Sequence, residues 1–271
     1  MAATRGRELG RGLRSVVYEW GEVDVVKIAA PSTPTSWIVE ELRLTDTVAR
    51  LGAPVPDRRR LVEVDGRTAL AAERIGGPSL WDELAHLPDR ATELGESLAR
   101  LHLDLVELSV SYDLPRQHDR VESKIRAAAS RHGADLLDAI GLLPGEQHTD
   151  VLCHGDLHPR NVLLGRDGPV VVDWFDCCRG SLLGEIARTA LVIDTSRDLG
   201  GRSVPRPSLS EFRSGYLTSM RTALDIDDEH LADWTVLAAV ARIAEDIGDI
   251  EVESVRRDLR RRVDLRAGSV S

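Results

Sequence analysis

The stretch His154-Gly155-Asp156-Leu157-His158-Pro159-Arg160-Asn161, followed closely by Val171-Val172-Asp173-Trp174, decides how this chain is read. Asp156 and Asn161 are five residues apart. At that spacing an aspartate can orient an acceptor hydroxyl and take its proton, while the asparagine oxygen holds a metal ion. Asp173 ends an apolar run, where a second metal-binding carboxylate belongs. Magnesium demands a near-octahedral oxygen shell and takes only one or two ligands from protein. Asn161 and Asp173 are those two, with phosphate oxygens and water completing the shell. The apolar segments 150–153, 161–164 and 170–172 read as short strands around the site. The pattern points to phosphoryl transfer with Asp156 as the base.

Three upstream features fit the same chemistry. Gly10-x-Gly12-x-x-Ser15-x-Val17 is a glycine-rich turn between strands, whose backbone N–H groups can approach phosphate oxygens. By itself it is equally a plain hairpin. Ser15 stands where a third glycine is common, and its hydroxyl or N–H can meet a phosphate too. Lys27 lies within Val25-Val26-Lys27-Ile28, an apolar strand in which an unpaired charge is costly. It is expected to contact the nucleotide phosphates, held by a glutamate of the next helix. Glu40 and Glu41 both qualify, and Glu41 is taken as the partner. Ala72-Glu73-Arg74-Ile75-Gly76-Gly77 resembles a kinase hinge, with Glu73 and Ile75 offering backbone groups to the base.

His154 is expected to brace the catalytic loop, and His158 with Pro159 to shape its turn. Arg160 faces either phosphate or solvent. Asp176 and Glu185 are loop and helix acids that support the metal, the loop or the acceptor. His102 reads as a packing residue. Asp227, Asp228, Glu229, Asp233, Glu245, Asp246 and Asp249 either line a pocket for a cationic acceptor or form solvated faces.

Composition narrows the class. The 271 residues carry a net charge of −10, which argues against nonspecific nucleic-acid binding and is compatible with a cationic small molecule. The N-terminal residues show no apolar signal-peptide core, and no apolar run approaches the ~20 residues of a membrane span. Cys153, Cys177 and Cys178 have no metal-type spacing and suggest free thiols in a cytoplasmic, reducing setting. Monomer and dimer are both compatible. The cations are 33 Arg and 2 Lys, Lys27 and Lys124, so each lysine is notable.

Along the chain, residues 7–19 read as strand, turn, strand, and 23–28 as the next strand. A helix runs from near Trp37 to Arg50, capped by the Ser/Thr loop before it, with Ile38, Leu42, Val48 and Leu51 as its apolar side. Residues 60–64 and 67–75 form a hairpin about Asp65-Gly66. Gly76-Gly77-Pro78 marks a lobe boundary, giving a nucleotide-binding lobe 1–76 and a catalytic, acceptor-binding lobe 77–271. Leu94, Leu98, Leu101, Leu105 and Leu108 mark one buried helix face. Helices are expected over 118–140, 182–193, 210–223 and 227–247, a loop over 195–210, and a solvated helix and tail over 256–262.

Taken together, these stretches resemble the aminoglycoside phosphotransferase and choline kinase-like family over nearly the whole chain. His154-Gly155-Asp156-Leu157-His158-Pro159-Arg160-Asn161 and Val171-Val172-Asp173-Trp174-Phe175-Asp176 carry the likeness most specifically. The resemblance implies an α+β, bilobal, protein-kinase-like fold with a small β-rich N-lobe and a larger, mostly helical C-lobe. It implies transfer of phosphate from ATP or GTP, with Mg2+, to a hydroxyl of a small molecule. An aminoglycoside or other antibiotic ranks first as acceptor, which would make the protein a resistance enzyme. A hydroxylated metabolite ranks second, and a non-catalytic nucleotide-binding module third. Choline needs an aromatic cage, and only Trp174 and Trp234 fall near the acceptor side. One departure stands out: where the family often has Gly-Asp-Pro and then an aspartate, this chain has Gly180-Ser181-Leu182-Leu183-Gly184-Glu185.

Overall fold

A computed structural model describes residues 5–145, 150–195, 203–245 and 251–268. Five strands form an antiparallel sheet in the order β1-β2-β3-β5-β4. They are β1 (Arg5–Arg11), β2 (Ser15–Trp20), β3 (Asp24–Ala29), β4 (Arg60–Val64) and β5 (Arg67–Glu73). The β4–β5 turn at Asp65-Gly66 has both residues at positive φ, 51° and 73°, the geometry of a tight two-residue hairpin. Helix α1 (Thr35–Arg50) packs on β3 and β5. Its buried side is Ile38, Leu44 and Val48, while Leu42 is half-buried and Leu51 follows its last turn. No Ser or Thr side chain caps α1: Pro34 precedes it, and its carbonyl accepts from Trp37 N at 3.0 Å.

After Glu73 the chain crosses to the helical part. A Cβ on Gly77 would lie 1.7 Å from Leu164 O, so only glycine passes there. Helix α2 (Leu80–His86) opens with a reciprocal cap between Ser79 and Asp82. Helix α3 (Ala91–Val106) buries Leu94, Leu98, Leu101 and Leu105, the spacing that the sequence displays. Helix α4 (Gln117–His132) ends at Gly133, φ 130°, and a 3-10 segment, Ala134–Leu142, follows. The single helix expected over 118–140 is therefore two pieces, because the chain turns sharply at a glycine.

Two short pairs then frame the site: β6 (Val151–Cys153) pairs with β9 (Cys178–Gly180), and β7 (Val162–Gly165) with β8 (Gly168–Val171). The remainder is helical: α5 (Leu182–Thr195), α6 (Arg206–Ala223), α7 (Asp228–Ile243) and α8 (Val252–Gly268). Helix α6 starts four residues before the expected 210, and residues 196–202 of the expected loop lie outside the described residues. Helices α3 and α6 touch backbone to backbone: a Cβ on Gly95 would lie 2.0 Å from Phe212 O, and one on Gly215 2.4 Å from Thr92 O. Helix α8 is not merely solvated. Val255 and Leu259 are buried, and Arg262 and Arg266 both pair with the buried Asp233 of α7. Among the described residues, no helix is long and apolar enough to cross a membrane.

Candidate active site

The β7–β8 hairpin positions Asn161 and Asp173. Val162 pairs with Val171, and just outside that rung Val172 N donates to Asn161 O at 2.9 Å. Residues 161 and 173 are thereby drawn together from the two arms. Asn161 Nδ2 donates to Asp156 O at 3.0 Å, which leaves its Oδ1 for a cation. Asp173 takes the left-handed conformation, φ 68° and ψ 57°, and its side chain is 43% exposed. Among the described residues no group of three or more His, Cys, Asp or Glu could hold a metal by itself. An Asn–Asp pair that shares magnesium with phosphates fits that pattern of donors.

The sheet supplies the cation. Lys27 Nζ donates to Glu41 Oε1 at 2.7 Å and to Asp173 Oδ1 at 2.9 Å, and lies 4.8 Å from the Trp37 ring centre. Glu41, not Glu40, is thus its helix partner; Glu40 pairs with Arg43. Burial by itself would lower the Lys27 pKa, but Asp173 and Glu41 outweigh it and raise it. Burial pushes the Glu41 carboxyl up to about 7, with Lys27 pulling the other way.

In the glycine-rich turn, Gly12 N donates to Ser15 O at 2.9 Å. Neither Gly10 nor Gly12 has a positive φ, and a Cβ would meet nothing within 4 Å at Gly10 and only Ser15 O at 3.8 Å at Gly12. The fold itself does not require these glycines. They leave open space over the turn, as a phosphate cradle would. At the hinge, Glu73 N donates to Asp57 O and Arg74 N to Val23 O.

The loop carrying Asp156 is held on every side. His154 Nε2 lies 3.0 Å from Val172 O, and its Nδ1 accepts from Asp156 N at 3.2 Å, which requires the proton on Nε2. Glu185, 1% exposed, accepts from His154 N at 2.9 Å and from Gly155 N at 3.0 and 3.1 Å. It braces the loop from the cleft wall. Burial raises its pKa to about 7 despite those bonds. His158 Nδ1 accepts from Arg160 N, and its Nε2 lies 3.5 Å from Asp156 Oδ2. The Arg160 guanidinium stacks over Trp81 at 3.8 Å.

Asp156 Oδ1 receives Arg188 Nη2 at 3.1 Å. Burial would raise the Asp156 pKa, but His158, Arg188 and Arg242 outweigh it and hold it well below the usual carboxylate range. Next to it opens a cleft of about 480 Å3, its mouth included, with Gly155, Arg188, Trp234, Arg120, Lys124 and Asp176 in its wall. Trp234 is there as expected. Trp174 is fully buried, its Nε1 donating to Val171 O, and is a core residue.

Sequence reasoning missed Arg120, Arg188 and Arg242. In a chain with 33 arginines, no single one stands out. Lys124 was legible as one of two lysines, but nothing placed it at the cleft. Of the acids expected near the acceptor, Glu245 pairs with Lys124, Arg188 and Arg242, while Asp227 caps α7 and Asp233 anchors α8. Asp246 and Asp249 lie outside the described residues.

A sheet with a paired Lys–Glu, joined to a helical body with this catalytic loop, is the architecture of protein-kinase-like phosphotransferases. The family model of the Phosphotransferase enzyme family matches residues 5–234, and the chain belongs to that family, whose members are small-molecule kinases. Among curated proteins, none matches by sequence. Among solved structures, an aminoglycoside-3'-phosphotransferase of type VIII is 20% identical, covers 89% of this chain and 94% of its own, and has a TM-score of 0.61. A thermostable mutant of aminoglycoside phosphotransferase APH(4)-Ia is 15% identical over 98% of this chain and 96% of its own, TM-score 0.61. A choline kinase from Cryptosporidium parvum is 11% identical over 99% and 90%, TM-score 0.55. At such identities the likeness shows the fold.

Proposed function

We propose that this protein is a magnesium-dependent kinase that moves the γ-phosphate of ATP or GTP to a hydroxyl of a small molecule. The observation that carries this reading is the ion-paired cluster of Lys27, Glu41 and Asp173, joined through the β7–β8 hairpin to Asn161 and so to Asp156. Residues 1–76 form the nucleotide lobe and 77–271 the catalytic and acceptor lobe. Gly10, Gly12 and Ser15 cradle phosphates, and Lys27 contacts them while Glu41 holds it. The Glu73 carbonyl and the Ile75 N–H meet the base, since the N–H groups of Glu73 and Arg74 are taken within the protein. Asn161 and Asp173 would hold Mg2+, which when bound would supply positive charge to offset that of the phosphates.

Asp156 is the catalytic residue. It orients the acceptor hydroxyl and receives its proton, and its low pKa keeps it ionised for that task. Arg188 aims and charges Asp156. His154 and Glu185 fix the loop, and Asp176, ion-paired to Arg120 and Lys124, shapes the acceptor side.

An aminoglycoside or other antibiotic is one acceptor reading, and a hydroxylated metabolite the other. The cations around the cleft favour the metabolite, because a polycation would meet Arg120, Lys124 and Arg188. Among the described residues, Trp234 is the single aromatic residue of the cleft wall, too few for a choline cage. Three buried free thiols fit a cytoplasmic enzyme. The test is a mass-spectrometric transfer screen with ATP, GTP and magnesium against hydroxylated antibiotics, sugars and hydroxy acids. A compound that gains phosphate with wild type and not with Asp156→Ala supports the reading. Tight magnesium-nucleotide binding without turnover would favour a binding module.

A further inference from the structure

Three cations, Arg120, Lys124 and Arg188, line the acceptor cleft, with the carboxylates of Asp176 and Glu185 in its wall. Glu245 alone faces Lys124 at 2.8 Å, Arg188 at 2.9 Å and Arg242 at 2.6 Å. Burial would raise its pKa, yet the three cations pull it down to about 2. Asp176 is likewise shared, by Lys124 at 3.2 Å and Arg120 at 3.6 Å. Asp156 pairs with Arg188 and, on the kinase reading, turns to the acceptor hydroxyl. Glu185 points its carboxylate at the backbone of residues 154 and 155.

Arg120 and Lys124 also have donors to spare. They sit four residues apart on α4, so both reach the cleft from one helix face, against the mild repulsion that such a like-charged pair carries. The Lys124 ammonium has three protons, and Asp176 and Glu245 take two. Arg120 gives one hydrogen bond, from Nη2 to Phe175 O at 3.1 Å, its Nη1–Asp176 separation is that of a loose ion pair, and its Nε is buried without a partner. Composition supplies an independent sign. The chain builds its cations from Arg, yet uses Lys twice: Lys27 pairs with Asp173 on the sheet side, and Lys124 stands in the cleft wall. A compact ammonium gives an oxyanion a point contact, and a planar guanidinium beside it offers a forked, two-donor contact.

We infer that the acceptor carries a compact oxyanion, a carboxylate or a phosphate, besides the hydroxyl that is phosphorylated, and that Arg120 and Lys124 determine this specificity. The inference rests on the kinase reading. The oxyanion seats between the two α4 cations, with Trp234 and Ala238 offering an apolar wall to the carbon skeleton.

The experiment uses a panel of hydroxy acids and phosphate monoesters, each with the neutral alcohol and the amino alcohol of the same skeleton, and an aminoglycoside. Phosphate gain is read by mass spectrometry, and KM is measured for wild type, Lys124→Gln, Arg120→Gln and Lys124→Arg, each with its melting temperature. Anionic members alone should gain phosphate, and the acid and phosphate arms tell which oxyanion is read. Either Gln variant should raise the acceptor KM roughly 10- to 100-fold, with the KM for ATP within about twofold of wild type. Three results overturn the inference: a neutral or cationic twin used as well as the acid, an acceptor KM unmoved in both Gln variants, or no anionic member acting as acceptor or competitive inhibitor. Failure of the kinase reading looks different: no magnesium-dependent ADP formation, water included as acceptor, in wild type and Asp156→Ala alike. Calorimetric titration with the same acids, and its loss in Lys124→Gln, then decides the anion site by itself.

Discussion

Replacing Glu185 by Ala removes the acceptor for two backbone N–H groups, at His154 and Gly155. Each orphaned buried donor costs about 1–3 kcal/mol, so the loop loses about 2–6 kcal/mol of support. An opposing effect depends on pH. The Glu185 carboxyl is raised from 4.5 to about 7, chiefly by burial. Across that window the folded protein keeps a proton that the unfolded chain releases, so wild-type stability falls as pH rises. The rise corresponds to about 3 kcal/mol, which the alanine variant does not suffer. The cost of Glu185→Ala is therefore larger near pH 5 than near pH 8, by about 2–3 kcal/mol. Urea unfolding of wild type and variant at both pH values measures it. Transfer activity should drop at both, because Gly155, φ 78° and packed on Asp176 O, no longer has its anchor. A cost that is the same at pH 5 and pH 8 would refute the reasoning.

Lys27→Met should weaken ATP binding by calorimetry roughly 10- to 100-fold, since a charge-assisted contact is lost; affinity unchanged would remove Lys27 from the phosphate site. Burial lowers the His102 pKa to about 3, so its contribution to stability is whole above 6.5 and is lost as pH falls from 6.5 toward 3, at up to about 1.4 kcal/mol per pH unit. His102→Gln should flatten that part of the stability profile in urea titrations from pH 4 to 7. Gly95→Ala drives a methyl toward Phe212 O and should cost about 1–3 kcal/mol or more in thermal melts. Gly10→Ala meets no atom within 4 Å and should leave the melt unchanged while weakening nucleotide binding.

What the sequence disclosed and what it withheld divide along physical lines. Strand, turn and helix periods are local, so β1 to β5, α1 and α3 could be read directly. The Lys27–Glu41 pair was also legible, because a lone lysine in an apolar strand needs a partner and the next helix offered only two. The break at Gly133 was not, since a glycine within a helical pattern does not announce its φ. The capping loop before α1 misled because Ser and Thr are only candidates for a cap, and Pro34 takes the position. The cleft wall comes from α4, α5 and α7, so its charge emerges only when those helices pack. Arg188 reaches Asp156 across 32 residues, and no local pattern marks such a pairing.

Asp156→Asn offers the most direct trial, with ATP affinity and phosphate transfer measured on the same variant. If Asp156 orients the acceptor and takes its proton, magnesium-ATP binds within about threefold of wild type while transfer falls roughly 10²- to 10⁴-fold. Transfer above a tenth of wild type, or ATP binding lost along with transfer, would contradict that assignment.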